Sequence, residues 1–275
     1  MTELIKQKQD LTYLEWSKIR HSSGTAGSFL KATSEISGKK IYYKLSNYDS
    51  FKGVIGYESI NEIIVDRLLN ILGIKHLHYN LIHADISVGG KVLETYLCSS
   101  DDFKKKGEEK AALDVYYESE KKENESPFEF CIRMGFEEYV YEMFLVDFLI
   151  LNRDRHGANI EVLKNPQNKT IRLAPLFDHG LSLLALCRTE EEIQNFDVLE
   201  DKSIQSYLGS RSAYENLKLI PANKFPHVNS LKATDKNIIF DGLYDVIDET
   251  LKEKIWEMIW KRWCYYEDFC NKKRI

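Results

Sequence analysis

The run EYVYEMFLVDFLIL (138–151) is apolar enough and long enough to be a buried helix, and it stops at a polar loop, NRDRHGAN (152–159). A buried helix gives the loop that follows it a rigid support. Ile160 to Leu163, then Asn165-Pro166-Gln167-Asn168, then Thr170 to Leu176 read as strand, turn and strand. A hairpin there returns the chain to its starting point. It carries Asp178, in Phe177-Asp178-His179-Gly180, back to Asp154 and Asn159, which lie five positions apart. Two carboxylates and an amide converging in this way suit Mg²⁺, which takes oxygen ligands and shares them with phosphates.

The remaining composition narrows the setting. A chain of 275 residues, 43% hydrophobic and 29% charged, can bury one large core or two smaller ones, as a soluble globular protein does. A net charge of −5 gives no global attraction to nucleic acid or to an anionic membrane. The five cysteines, Cys98, Cys131, Cys187, Cys264 and Cys270, are scattered, odd in number and without CxxC spacing. That pattern argues against zinc and against a disulfide framework, and favours a reducing cytosol. The polar start, MTELIKQKQD, lacks the apolar core of a signal peptide, and no run approaches a membrane span. Cytoplasmic residence is the expectation.

Taken in order, Thr12 to Ile19 reads as a first strand. Ser22-Ser23-Gly24-Thr25-Ala26-Gly27-Ser28 then reads as a small-residue turn, and Phe29 to Thr33 as a second strand. Glycines in such a turn let backbone N–H groups approach phosphate oxygens, so Gly24, Thr25, Ala26, Gly27 and Ser28 are candidate phosphate contacts. No Gly-Lys-Ser/Thr precedes a helix, which excludes a Walker A loop. Lys39 to Ser46, KKIYYKLS, alternates as a strand should and carries Lys44 among apolar neighbours.

Tyr57 to Leu72 is an amphipathic helix, with Ile60, Ile63, Ile64 and Leu68 at helical spacing and Gly73 as its stop. Glu58 and Glu62 share one face. Glu62, deeper among apolar residues, is the one expected to need a partner, and Lys44 is the candidate. His76 to Ile86 and Lys91 to Cys98 read as strands joined at Val88-Gly89-Gly90, completing a sheet of about five strands. On chain order alone, Tyr96-Leu97-Cys98 would then be a linker whose backbone groups bind adenine.

From Ser99 to Ser126 the chain is charge-dense and reads as an exposed connector or flexible insertion. Helix resumes at Pro127 to Met134. Residues 188–217 look polar and irregular, and Asp245 to Phe269 is helical, with Trp256, Ile259, Trp260 and Trp263 forming a wide apolar face.

The pieces SSGTAGSFLKA (22–32), YYKLS (42–46), YESINEIIVDRLLNILGI (57–74), LNRDRHGAN (151–159) and LFDHG (176–180) together resemble the HipA-like serine/threonine kinases, toxins of bacterial toxin–antitoxin pairs, and the related CtkA-type minimal kinases. The resemblance implies an α+β, two-lobed protein-kinase-like fold. Its small antiparallel-sheet N-lobe (1–98) would carry one regulatory helix, and its C-lobe (99–275) would be mostly helical. It implies ATP and Mg²⁺ as cofactors, Asp154 as catalytic base, and Asn159 and Asp178 as metal ligands. Lys44 would contact phosphate and Glu62 would orient it. His156 would touch the terminal phosphate, or else hydrogen-bond within its loop.

The family also implies autophosphorylation of the Gly-rich loop, for which Ser22, Ser23, Thr25 and Ser28 are candidates. The implied partners are a protein substrate carrying Ser or Thr and an antitoxin, with no direct nucleic acid and no membrane. The chain lacks the extra N-terminal subdomain of full-length HipA, which puts antitoxin contacts made through that part in doubt. It also lacks the His-Arg before the catalytic Asp and the Ala-Pro-Glu of eukaryotic kinases. A lipid or small-molecule kinase is the second enzyme reading, because phosphatidylinositol kinases carry a similar Asp-Arg-His-x-x-Asn loop. A nucleotide-binding pseudokinase acting as a regulatory partner is the reading from another class.

Overall fold

A computed structural model describes residues 3–19 and 26–274. Four strands open the chain: β1 (Leu4–Leu11), β2 (Ser17–Ile19), β3 (Ala26–Ile36) and β4 (Lys39–Lys44). A two-stranded turn of β5 (Tyr48–Asp49) and β6 (Gly53–Val54) leads into helix α1 (Glu58–Leu72). The chain then returns through the hairpin β7 (Asn80–Val88) and β8 (Lys91–Asp101). Its turn is Gly89-Gly90, at φ 58° and 80°, where a β-carbon would be strained.

These strands form one six-stranded sheet in the order β1-β7-β8-β4-β3-β2. All its pairings are antiparallel except β1 with β7, which is parallel and bulged between Ile5 and Gln9. Two sequence expectations need correcting here. The sheet has a sixth strand, β1, whose polar side chains hide it; an edge strand is held by backbone pairing and needs little apolar content. The expected strand Thr12–Ile19 shrinks to Ser17–Ile19, and residues 12–16 form the connection in which Leu14 is buried.

Each face of the sheet serves a different core. Tyr43, Leu45, Ile82, Ala84, Ile86 and Leu97 pack with Leu11 and Leu14 on one face. On the other, Leu81 and Cys98 join α1 in a larger core that continues into the helical part of the chain. Helix α1 is buried nearly all round. Besides its apolar residues it buries Glu58, Ser59, Asn61, Glu62 and Asp66, and buried polar groups require partners.

Beyond the sheet come β9 (Glu109–Ala112), α2 (Leu113–Glu120), α3 (Pro127–Arg133) and α4 (Glu137–Ile150). Segment 99–126 is therefore no loose insertion. Strand β8 runs through Ser99 to Asp101, and α2 buries Leu113, Tyr116 and Tyr117. Strand β9 pairs with β11 (Glu161–Asn165), which itself pairs with β12 (Thr170–Leu173). The hairpin β11–β12 is the one expected from sequence. At its turn the Asn165 side chain accepts from the backbone N–H groups of Gln167 and Asn168, at 3.1 Å each. Strand β10 (Asp154–Arg155) lies just before it.

The rest is α5 (Glu190–Gln194), β13 (Gln205–Ser206), α6 (Ala213–Lys218), α7 (Lys236–Ile239) and α8 (Glu249–Arg274). Residues 188–217 are packed despite their polarity, with Ile193, Val198, Ile204 and Leu208 buried. Arg262 of α8, wholly buried, holds them down by donating to the carbonyls of Val198, Glu200 and Phe148. On α8 the buried face is carried by Ile255, Met258, Ile259 and Trp263, while Trp256 and Trp260 stack on each other, half-buried. Among the described residues no helix is long and apolar enough to cross a membrane.

Candidate active site

Helix α1 presents three carboxylates at i, i+4 and i+8, Glu58, Glu62 and Asp66, all fully buried. Glu62 is the hub. One of its oxygens accepts from Lys44 Nζ at 2.9 Å and from the backbone N–H of Gly180 at 3.0 Å, and the other from the N–H of His179 at 2.9 Å. Lys44 also pairs with Asp178. The expected Lys44–Glu62 pair is thus present, and it is wired directly into segment 178–180. Burial works against the Lys44 charge, but the Asp178 and Glu62 carboxylates outweigh it and hold the ammonium well above its ordinary value. Next to Glu62, Asn61 donates to the carbonyls of Gly180 at 3.0 Å and Ser182 at 3.1 Å.

Asp178 sits at φ 59°, in the left-handed region, where Asp is tolerated better than most side chains. Its N–H donates to the hydroxyl of buried Tyr79 at 3.2 Å. His179 is buried and neutral: burial first, and Arg155 next, press it well below the usual histidine range.

The loop after α4 is built around Arg155. Leu151, at φ 49°, turns the chain out of the helix. Arg155 is wholly buried and grips Asp147 of α4, with Nε 3.1 Å from Oδ2 and Nη2 2.8 Å from Oδ1. Its remaining nitrogen, Nη1, donates to the carbonyls of Phe177 at 2.9 Å and Asn159 at 3.4 Å. One guanidinium therefore spans both loops and brings Asn159 next to the residue preceding Asp178. Asn152 bridges Asp147 and the N–H of Asp154. Asn159 Nδ2 donates to the Asp154 carbonyl at 2.8 Å, which leaves its Oδ1 as the atom available to a cation. His156 Nε2 stands 3.8 Å from Asp154 Oδ2.

Lys44, Cys98, Asn159 and Asp178 line one cavity of about 740 Å³ between the sheet and the helical part, a size suited to a small organic ligand. Its floor and mouth add Tyr79, Ser100, Phe103, Lys110 and Phe177, the rings of Phe103 and Phe177 lying 5.5 Å apart. The oxygen donors Asn159 and Asp178 fit Mg²⁺ by chemistry, and Lys44 beside them fits an anionic group.

Of the linker expected to hold adenine, only Cys98 lines the cavity. Burial pushes its thiol up to about 12, so it is a neutral wall rather than a nucleophile. Leu97 points into the opposite core. Tyr96 stacks on His83, with ring centroids 4.8 Å apart, away from the cavity. Strand periodicity turns Leu97 to the other face, while Tyr96 shares the face of Cys98 but lies short of the cavity, whose lining continues past 98 at Ser100. Gly24 and Thr25 lie outside the described residues. Ala26, Gly27 and Ser28 begin β3.

No protein-family model matches the chain, and no curated protein matches its sequence. Its structure, however, is similar to the crystal structure of a Helicobacter pylori proinflammatory kinase, CtkA. The TM-score is 0.66 at 17% identity, over 97% of this chain and 98% of that one. The chain has the fold of CtkA. A Shewanella oneidensis MR-1 HipA, solved with HipB and operator DNA, also matches, with TM-score 0.41 and 17% identity, over 94% of this chain and 60% of that one.

The contacts around the site make plain which residues the motifs concealed. Asn61, Tyr79 and Asp147 touch or brace the site without belonging to a recognisable spacing, whereas Arg155 braces it from inside the Asp-Arg-His-x-x-Asn loop. Two of them carried a signal: Asp147 inside the run FLVDFLI, and Asn61 inside SINEII, are polar residues where a helix face is apolar, and such residues need buried partners. Tyr79 and the cavity wall from Ser100 to Ala112 carried none.

Proposed function

We propose that the chain is an ATP- and Mg²⁺-dependent kinase of the HipA-like type, transferring phosphate to Ser or Thr of a protein. The observation that carries this reading is Lys44 held between Glu62 and Asp178 on the wall of a cavity that also includes Asn159. In the proposal the sheet and α1 form one lobe, the helical part the other, and ATP occupies the cavity between them. Asn159 and Asp178 would hold Mg²⁺, which would supply neutralisation of the phosphate charge. Lys44 holds phosphate oxygens, and Glu62, fixed by two backbone amides, orients Lys44.

Asp154 accepts the proton of the attacking hydroxyl. Its loop is placed by Asn152, Asn159 and Arg155, so catalysis comes from positioning more than from covalent chemistry. His156, beside Asp154, would contact the terminal phosphate. By the family resemblance alone, segment 22–28 would cover the phosphates, and it carries the candidate autophosphorylation positions Ser22, Ser23, Thr25 and Ser28. An antitoxin partner follows from the family resemblance alone.

The test is Asp154→Asn, assayed with labelled ATP, Mg²⁺ and a cell lysate, with mass spectrometry of the modified residues. Loss of transfer by roughly 10²- to 10⁴-fold is expected, with an unchanged melting temperature. Full activity in this variant, or label on lipid instead of protein, overturns the reading.

A further inference from the structure

One turn along α1 from Glu62, Asp66 serves a different neighbourhood. It is buried, and its carboxylate is braced by the N–H of Tyr79 at 2.8 Å and by Asn70 Nδ2 at 2.6 Å. Facing it are His76 and His78, alternate residues of the segment between α1 and β7. His76 Nε2 is 3.5 Å from Asp66 Oδ1, and His78 Nδ1 is 3.3 Å from Asp66 Oδ2. One donor atom from each of the three lies within 4.8 Å of the others.

The state of His76 is the decisive detail. Its Nδ1 is 2.7 Å from the carbonyl of Ile74. A carbonyl only accepts, so Nδ1 carries the hydrogen, and in the neutral ring Nε2 presents a lone pair. His76 is 6% exposed, and among the described residues its Nε2 has no hydrogen-bond partner. A buried lone pair aimed at a carboxylate oxygen is repelled unless positive charge stands between them.

We propose that Asp66, His76 and His78 form a binding site for a divalent transition metal of the zinc type. Tetrahedral ligands about 2.0–2.1 Å from zinc stand about 3.3–3.4 Å apart, close to the 3.5 Å from His76 to one carboxylate oxygen and the 3.3 Å from His78 to the other. The ring nitrogens favour zinc over Mg²⁺ or Ca²⁺. The surroundings have the form that supports metal ligands: a carbonyl fixing the tautomer of His76, and two N–H donors on the carboxylate. His78, with its side chain 52% exposed, leaves the fourth position to water. The metal ties α1 to the segment carrying Tyr79, whose hydroxyl receives the Asp178 amide, so it fastens the helix that holds Glu62. Cysteine count could not reveal this site; His-x-His on an extended segment, which puts both rings on one side, could.

The untagged full chain, stripped by chelator and free of nucleotide, is titrated with Co²⁺ and then with Zn²⁺. The expected result is one Co²⁺ per chain with a tetrahedral visible spectrum, displaced by Zn²⁺ and not by excess Mg²⁺. Asp178→Asn, which alters the other candidate metal position, should bind Co²⁺ as the parent does. His78→Ala, at an exposed position where folding is safe, should weaken binding at least about tenfold and abolish the rise in melting temperature that Zn²⁺ gives the parent. His76→Gln should remove binding altogether; should that variant fail to fold, His78→Ala decides alone. The absence of uptake, equal uptake by parent and His78→Ala, or loss in Asp178→Asn instead, overturns the proposal. These readouts are independent of kinase activity.

Discussion

Two buried cations, Lys44 and Arg155, organise neighbouring parts of this molecule in opposite ways. Arg155 is wholly enclosed, its Asp147 partner is 5% exposed, and all three guanidinium nitrogens are committed to Asp147 or to loop carbonyls. Lys44 and Asp178 keep 11% and 16% of their side chains exposed, on the cavity wall. A planar fork with all three nitrogens engaged fixes geometry, whereas an ammonium is a point charge on a flexible stem that can turn to a new anion. The closed cluster reads as scaffold and the half-open one as the working site. Burial of the charge alone would not have separated them.

The sharpest way to break that contrast is to remove each cation. Arg155→Met strands Asp147 in the core and unfastens both loops, so a loss of about 3–5 kcal/mol is expected from urea denaturation. Adding Asp147→Leu should restore a good part of it, because replacing a whole buried pair by apolar groups is close to neutral. A single variant that loses less than about 1 kcal/mol, the net worth of an ordinary hydrogen bond, would deny Arg155 its role as staple. Lys44→Met should be milder for the fold, about 1–3 kcal/mol, because water in the cavity can reach Asp178. Its phosphate transfer should nevertheless fall by at least about 10²-fold, since charge stabilisation at the reacting phosphate is lost. Activity that falls only in step with the folded fraction would make Lys44 a second structural cation.

That contrast also explains what the sequence disclosed. Asn159, Asp178, Lys44 and Glu62 were legible as candidates from their places in short segments, and the structure brings these four together; the β11–β12 hairpin announced its own turn at Asn165. The helices α1 and α4 were legible from their apolar content. Residues that act across long separations were not. Tyr79 reaches Asp178, 99 positions away, through folding that no local pattern encodes. Strand β1 was hidden because backbone pairing ignores side-chain polarity. The linker was misplaced because order along the chain fixes neither where a strand ends nor which of its faces meets the cavity. The lining from Ser100 to Ala112 was read as loose for its charge density, although Lys110 pairs with Asp102 at 2.9 Å and lies over the Phe103 ring at 4.1 Å.

The smallest test of the contrast lies at Gly180, where the half-open cluster meets α1. A β-carbon there would stand 3.0 Å from Glu58 Cβ, 3.2 Å from the Glu58 carbonyl and 3.2 Å from Lys44 Nζ. Two of those neighbours belong to the first turn of α1, and Glu58 is itself tied to the N–H of Asn47 at 3.0 Å, so the helix start cannot yield without loosening the turn before it. Lys44 can yield by turning, but only away from Glu62 or Asp178. Gly180→Ala should therefore destabilise by about 1–2 kcal/mol, as modest overpacking does. If the strain falls on Lys44, the KM for ATP should rise about tenfold, the equivalent of 1.4 kcal/mol, with kcat little changed. If it falls on α1, kcat should drop instead, because Glu62 moves with the helix. Unchanged melting and unchanged kinetics together would show that α1 and segment 178–180 are less tightly coupled than the Glu62 hydrogen bonds imply. The distinction between a fixed scaffold and an adjustable site would then have to be drawn elsewhere.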